Sequence, residues 1–278
     1  MSEEVGEPPI LEFDPAPIAV IEPSEVIEPI DIAPHAVLCF FQDVITRAVA
    51  EHDGRVVDHV VSEIGRNPVY EIVLGGRRLT LVHPGVGAPL AAGVLEELIA
   101  RGCRAFVACG GAGVLVPDVA LGHVIVPTRA IRDEGTSYHY LQPGRSTQPT
   151  PQAVDAIEAT LTVHRVPFVK ATTWTTDGIY RETRDKVDRR VAEGCLTVEM
   201  ECAAFCAVAG FRGVAFGQLL YAGDDLSGEA WDQRDWDEHT TGRETLFRLA
   251  AEAVLRLPTS PLLAEGAKHE PAGPGSVG

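Results

Sequence analysis

Leu196-Thr197-Val198-Glu199-Met200-Glu201-Cys202-Ala203-Ala204 is the stretch on which the reading of this chain turns. A short apolar strand over 196–198 runs into two carboxylates and then into a helix of small residues that continues through Phe205, Cys206, Val208 and Ala209. Glu199 and Glu201 therefore sit at a strand-to-helix junction, where α/β sheets present functional groups. Two acids flanking the apolar Met200 suit a ligand that is polar on one side and apolar on the other. The vicinal diol of a sugar fits: an ionised carboxylate only accepts hydrogen bonds, and a diol offers two donors close together. The competing reading is an acid at a helix N-terminus, complementing the helix dipole.

Working outward, Ala36-Val37-Leu38-Cys39-Phe40-Phe41 is a continuous apolar run of the kind found in central strands, with a helix expected over 42–51. Two strands, 69–74 and 77–83, flank Gly75-Gly76, the chemistry of a two-residue hairpin turn, so the sheet should be mixed. Pro84-Gly85-Val86-Gly87 leads into a helix over 88–101 with Leu90, Val94, Leu98 and Ile99 at helical spacing. A strand over 105–109 is expected to end in Gly110-Gly111-Ala112-Gly113. That run is no dinucleotide loop, because Val114-Leu115-Val116-Pro117 does not begin a helix. Strand segments over 119–128 and 130–131 deliver the polar cluster Arg132 to Tyr140. It reads as a pocket loop or as a plain surface turn. A helix over 151–164, a strand over 168–172 and a helix over 183–192 lead to the acidic junction. A strand over 214–220 then ends in Gly223-Asp224-Asp225, and a last helix is expected over 236–257.

The 278 residues, 45% hydrophobic, fit one large α/β domain. The net charge of −17 argues against nucleic acid as a partner. With no apolar run long enough to span a bilayer and an acidic N-terminus, no membrane contact is expected and a cytoplasmic location follows. Six cysteines in apolar patterns read as buried thiols, without the spacing of a metal site. Residues 1–34 carry seven prolines, nine acids and no Lys or Arg. Their Ile, Leu and Phe residues suggest an arm lying on the body or on a neighbouring subunit, with the part before Pro8 a mobile tail. Residues 35–257 form the catalytic domain in this reading, and 258–278, rich in Pro, Gly and Ala, read as a disordered tail.

Six motifs in order, Pro84 to Pro89, Gly110 to Gly113, Arg132 to Tyr140, Thr176-Asp177-Gly178-Ile179-Tyr180, Val198 to Glu201 and Gly223-Asp224, make the chain resemble the nucleoside phosphorylase and nucleosidase superfamily over roughly residues 36–257. That family includes purine nucleoside phosphorylases, uridine phosphorylases and methylthioadenosine nucleosidases. The resemblance implies a three-layer α/β/α domain with a mixed central sheet, a homo-oligomer without cofactor or metal, and cleavage of the bond between a ribose carbon and a base nitrogen.

Carried over residue by residue, Glu201 matches the ribose-binding acid, with Glu199, Met200, Gly87, Gly110 and Gly111 lining the substrate site and Ile179 and Tyr180 facing the base. Asp224 matches the acid that protonates a departing purine, a role that requires burial to raise its pKa, with Asp225 helping by repulsion. The phosphate-holding features are absent. The turn after the first strand is Phe40-Phe41-Gln42-Asp43-Val44, without the family's glycine and arginine, and Ala108 and Gly111 stand where an arginine and a hydroxyl residue are expected. Asp43 instead stands where nucleosidases carry an acid that positions water. It is a candidate base, or else a helix acid paired with Arg47. The uridine-recognising glutamine and arginine are not reproduced by Glu182, Thr183 and Arg184. The expectation is therefore a nucleoside-cleaving enzyme, purine-type, with water as acceptor. Phosphorolysis through an anion site relocated to Arg132, Arg181, Arg184 or a neighbouring subunit is the alternative, and a non-catalytic nucleoside-binding relative is the third reading.

Overall fold

In the computed structural model, residues 6–236 and 240–260 are described. From the amino end, a single turn α1 (Pro23–Val26) lies in the arm. Next, β1 (His35–Cys39) carries the apolar run, buried on both faces. Then α2 (Gln42–Glu51), β2 (Arg55–Ser62), β3 (Gly65–Leu74), β4 (Arg77–Val82), α3 (Ala88–Arg101) and β5 (Ala105–Val114) complete the first half. The second half contains β6 (Val124–Asp133), the short β7 (Ser146–Thr147), α4 (Pro151–Val163), β8 (Phe168–Thr176), α5 (Arg184–Ala192), β9 (Cys195–Glu199), α6 (Cys202–Arg212), β10 (Ala215–Asp225) and α7 (Thr240–Val254).

The strands join in the order β10-β6-β8-β9-β5-β1-β4-β3-β2, with β7 on β6 and β10 also pairing with β5. Pairing is parallel at β1–β4, β1–β5, β10–β5, β6–β8 and β8–β9, and antiparallel at β2–β3, β3–β4, β5–β9 and β10–β6. One face packs on α2, α4 and α7 through Ile45, Ile157, Leu249 and Val254. The other packs on α3 and α6 through Leu95, Leu98, Phe205 and Phe106. This is the expected three-layer α/β/α arrangement with a mixed sheet. Gly75 and Gly76 turn the β3–β4 hairpin with φ of 56° and 78°, the left-handed conformation such a turn demands.

Register explains where the sheet opens. Along one edge β5 pairs with β10 from Ala105 to Val114. Along the other it pairs with β1 only as far as Cys109, and β9 takes that edge only from Gly113. Gly110-Gly111-Ala112 is left without a strand partner on one side, at the carboxyl end of β1, and a cavity forms there.

The glycine run is thus the end of β5 and not a loop after it; the pairing that extends the strand is main-chain, and glycines leave no side-chain pattern to announce it. Likewise β10 continues to Asp225, past the expected end at Leu220. The hairpin partner β2 and the first half of β3 had no counterpart in the sequence reading: β2 is mostly solvent-facing, and its turn, Glu63-Ile64, lacks hairpin residues. α7 is described from Thr240, so an expected start at Trp236 cannot be followed through 237–239, which lie outside the described residues, as do 1–5 and 261–278 of the two tails. All six cysteines are unpaired and buried.

The arm touches the body at named points. Glu22 is buried and pairs with Arg212 at 2.8 Å, Asp31 pairs with Arg78 at 2.7 Å, and the Ile30 N–H donates to the Arg101 carbonyl. Just before these anchors, Ile18, Val20 and Ile21 are exposed.

Candidate active site

A cavity of about 730 Å³ occupies the opening in the sheet, walled by Phe40 to Asp43, Gly110 to Gly113, Val198 to Glu201, and Tyr221, Gly223 and Asp224, with single residues from other elements. Its size suits a drug-sized ligand.

The acidic junction divides its labour. Glu199, the last residue of β9, is fully occupied: Oε1 accepts from the Thr175 hydroxyl at 2.6 Å, and Oε2 from the N–H groups of Glu201 at 2.7 Å and Cys202 at 2.6 Å. It caps the start of α6, whose orphan N–H groups and dipole hold a negative charge. The helix-acid reading and the ligand reading thus fall on different residues. Glu201, 6% exposed, accepts one hydrogen bond, 2.6 Å from the Gly87 N–H. Gly87 has φ 93°, which aims that N–H at the carboxylate and is natural only for glycine. Burial and the nearby Glu199 charge push Glu201 up to about 8, and burial raises Glu199 as well. With three donors and a helix end, Glu199 is where the pair's charge rests. Glu201 keeps acceptor capacity facing the cavity, with Met200 beside it.

At the far end, Asp224 lines the cavity, and its Oδ2 accepts from the Trp231 indole N–H at 2.7 Å. Asp225 does not assist it as expected. Its carboxylate is taken by Arg234 and the Ser227 N–H, which hold its pKa down against burial. The acid coupled to Asp224 is Glu182, which burial first and the Asp224 charge second push up to about 7. Ile179–Arg181 forms one turn of 3₁₀ helix, in which residues three apart share a face. Ile179 and Glu182 accordingly both line the cavity, whereas Tyr180 is 94% exposed and is not brought to it. The i to i+3 spacing was the signal for Glu182 that sequence reasoning passed over.

Asp43 lines the cavity with its Oδ2 accepting from Arg47 at 2.7 Å, so the helix-acid pairing is present and the residue stands at the cavity wall. Burial would raise its pKa, but Arg47 and Arg243 outweigh that and lower it. Arg243 of α7, which no motif singled out, also faces the cavity. Its guanidinium lies 3.8 Å from Asp43 and over the rings of Phe41 and Trp236. The arginines singled out from sequence lie elsewhere. Arg132 spends its guanidinium on Ser137 and the carbonyls of Leu141 and Gln142, knitting the polar cluster to itself, while Arg181 and Arg184 are exposed. Gly110 and Gly111 line the cavity, and Gly87 acts through Glu201.

The arrangement also matches known proteins. The guanosine phosphorylase of Halorubrum lacusprofundi is 29% identical over 208 residues, 70% of this chain and 84% of that one. The uridine phosphorylase of Treponema pallidum is 28% identical over 211 residues, 71% of this chain and 81% of that one. Among solved structures, the purine nucleoside phosphorylase of Toxoplasma gondii in complex with immucillin-H superposes with a TM-score of 0.72 at 18% identity, covering 85% of this chain and 97% of that one. The model of the phosphorylase superfamily matches residues 34–256, nearly all of the described body, and the chain belongs to that superfamily.

Proposed function

We propose that this enzyme cleaves the N-glycosidic bond of a nucleoside, a purine nucleoside by preference, and transfers the ribosyl group to water. The carrying observation is the charge of the cavity wall. Among the described residues that line it, five carboxyl groups, those of Asp43, Glu182, Glu199, Glu201 and Asp224, stand against one guanidinium, that of Arg243, with Arg47 bonded to Asp43 beside the cavity; burial keeps Glu182 and Glu201 partly protonated, and the wall offers an anion little compensating charge. A phosphate dianion entering a partly dry cavity needs compensating cations, whereas water needs only a group to orient it.

In this reading Glu201 and Met200 hold the ribose and Ile179 packs on the base. Asp224 faces the departing base and Glu182, raised to about 7 by burial and by the Asp224 charge, is the neighbouring store of the proton that passes to a ring nitrogen as the C1′–N bond breaks and its electron pair leaves with the base. Water adds to the oxocarbenium-like C1′ and its proton passes to Asp43. Bond breaking runs ahead of attack in such reactions, so a weakly basic carboxylate suffices. The exposed Ile18, Val20 and Ile21 of the arm support assembly as a homo-oligomer, as the family resemblance implies.

The test is product identity. Incubation with inosine, guanosine, adenosine and uridine, with and without phosphate, should release free ribose at a rate indifferent to phosphate, fastest for a purine. Stoichiometric ribose 1-phosphate would overturn the reading. One observation favours that second outcome: the Nε of Arg243 is buried without a partner among the described residues, a free donor for an anion, and the two relatives above are named phosphorylases. Were phosphate the acceptor, Arg243→Met would raise the KM for phosphate about tenfold or more, the loss of one charge-assisted hydrogen bond.

A further inference from the structure

The chain after β10 folds back on itself and returns an aromatic side chain to Asp224. Asp225 and Asp232 exchange main-chain hydrogen bonds of 2.7 Å and 3.0 Å, closing a loop in which Trp231 stands one residue before the closure. Further ties fix this loop to the body. The Leu226 N–H donates to the Val114 carbonyl at 2.8 Å, Arg184 at the start of α5 donates to the Gly228 carbonyl, and Arg234 pairs with Asp225 and donates to the Val119 carbonyl at 3.0 Å. Arg234 and Asp235 hold left-handed φ of 51° and 46°, a conformation that residues with a β-carbon adopt sparingly and keep only where their surroundings impose it. So much anchoring does not serve the burial of a ring, because Trp231 is left 62% exposed. What it delivers is a hydrogen bond: the indole N–H lies 2.7 Å from Oδ2 of Asp224.

We infer that Trp231 is the positioning residue of the leaving-group acid: its indole N–H holds Oδ2 of Asp224 and so presents Oδ1 to the base. The inference rests on the reading of Asp224 as the group that faces the departing base, and it names what aims that group. An indole is a donor only and cannot accept a proton. Oδ2 is therefore spent as an acceptor, and a proton leaving Glu182 is carried on Oδ1 and ends on a ring nitrogen as the electron pair of the C1′–N bond passes to the base. The placement of Oδ1 agrees. It lies 3.5 Å from where a β-carbon would stand on Gly113, a residue of the cavity wall. A carboxyl group free to turn about its Cβ–Cγ bond presents either oxygen in many directions, whereas one held by a donor presents the other in a fixed direction, as proton transfer within hydrogen-bond reach requires. When a base fills the cavity and displaces water, the lower local dielectric strengthens the same bond.

The test uses the full-length chain and Trp231→Phe, which keeps an aromatic ring and loses the donor. Two substrates are compared: the fastest purine nucleoside of the panel above, and 4-nitrophenyl β-D-riboside, whose leaving group departs without a proton. For the purine nucleoside kcat should fall about 10- to 100-fold, the loss of one hydrogen bond to a charged group, with KM changed less than about threefold. For the nitrophenyl riboside the fall should stay under about threefold, because no proton has to be aimed. In the Asp224→Ala background, Trp231→Phe should add less than about threefold to the purine loss, since the contact has lost its object. Independently of turnover, the indole proton of Trp231, assigned by its absence from the NMR spectrum of Trp231→Phe, should lie downfield in the wild type and move upfield in Asp224→Ala. A substrate-selective loss in Asp224→Asn beside an unaffected Trp231→Phe would overturn the inference and leave the reading of Asp224 intact. Equal losses of both substrates in Asp224→Asn would end that reading and the inference with it. Equal losses of both substrates in Trp231→Phe, or full additivity with Asp224→Ala, would make Trp231 a scaffold residue and overturn the inference directly.

Discussion

At the acidic junction on the cavity wall, Glu199, Met200 and Glu201 are adjacent in the chain, and backbone N–H groups from the same turn lock Glu199 in place. Elsewhere on that wall, Asp43 comes from α2, Gln218 from β10 and Arg243 from α7, and Arg243 approaches Asp43 to 3.8 Å. A local turn fixes geometry through chain connectivity, so its chemistry is legible in a short stretch of sequence. A site gathered from three distant elements has no such stretch. Its residues can also change without disturbing the junction, which is how one fold accommodates different chemistries.

The leaving-group end offers the largest way to break this contrast. Asp224→Asn should slow purine nucleosides about 10²- to 10⁴-fold, the usual worth of general acid catalysis, with a much smaller loss for a substrate whose leaving group departs without a proton. Glu182→Gln should reproduce part of that loss and shift the alkaline limb of the kcat/KM profile, because its pKa of about 7 lies in that range together with those of Glu199 and Glu201. Equal losses for both substrate types would give Asp224 a structural role.

Next in size, Glu201→Gln should lower kcat/KM about 10²- to 10³-fold, as removal of one preorganised contact to developing charge does elsewhere, while circular dichroism stays unchanged. Unchanged turnover would remove the sugar-holding role.

A smaller effect separates scaffold from ligand contact. Thr175 donates to Glu199 and accepts from the Ala203 N–H at 3.0 Å, so Thr175→Val strips a donor from a buried carboxylate and orphans an N–H. It should cost about 2–3 kcal/mol in denaturant titration. Stability equal to wild type would mean that Glu199 does not depend on its cap.

The smallest expected effect is on pH dependence. Glu201 has a folded-state pKa of about 8 against 4.5 for the free side chain, so between those values the folded state binds more protons than the unfolded state. Stability of the ligand-free protein should therefore be greatest at the acid end of that window and decline as pH rises from about 4.5 through about 8. Glu201→Gln should flatten the decline and melt above wild type at pH 8.5. An unaltered slope would assign the buried charge to Glu199 or Glu182.

The sequence by itself determined the mixed sheet, the helix bounds at 42–51 and 88–101, and the acidic strand-to-helix junction at 199–201. Each of these rests on periodicity, turn residues or contiguous motifs that act within a few residues. Only the tertiary structure decided that Gly110 to Ala112 stand at an open strand edge, because that depends on where β1 stops and β9 begins. It decided that Tyr180 turns outward and Glu182 inward, because one 3₁₀ turn sends neighbouring side chains to different faces. It also brought Gln218 and Arg243 to the cavity, from a strand and a helix whose patterns announce only core packing. Their polar atoms acquire meaning from what lies across the cavity, and that separation in sequence carries no local signal.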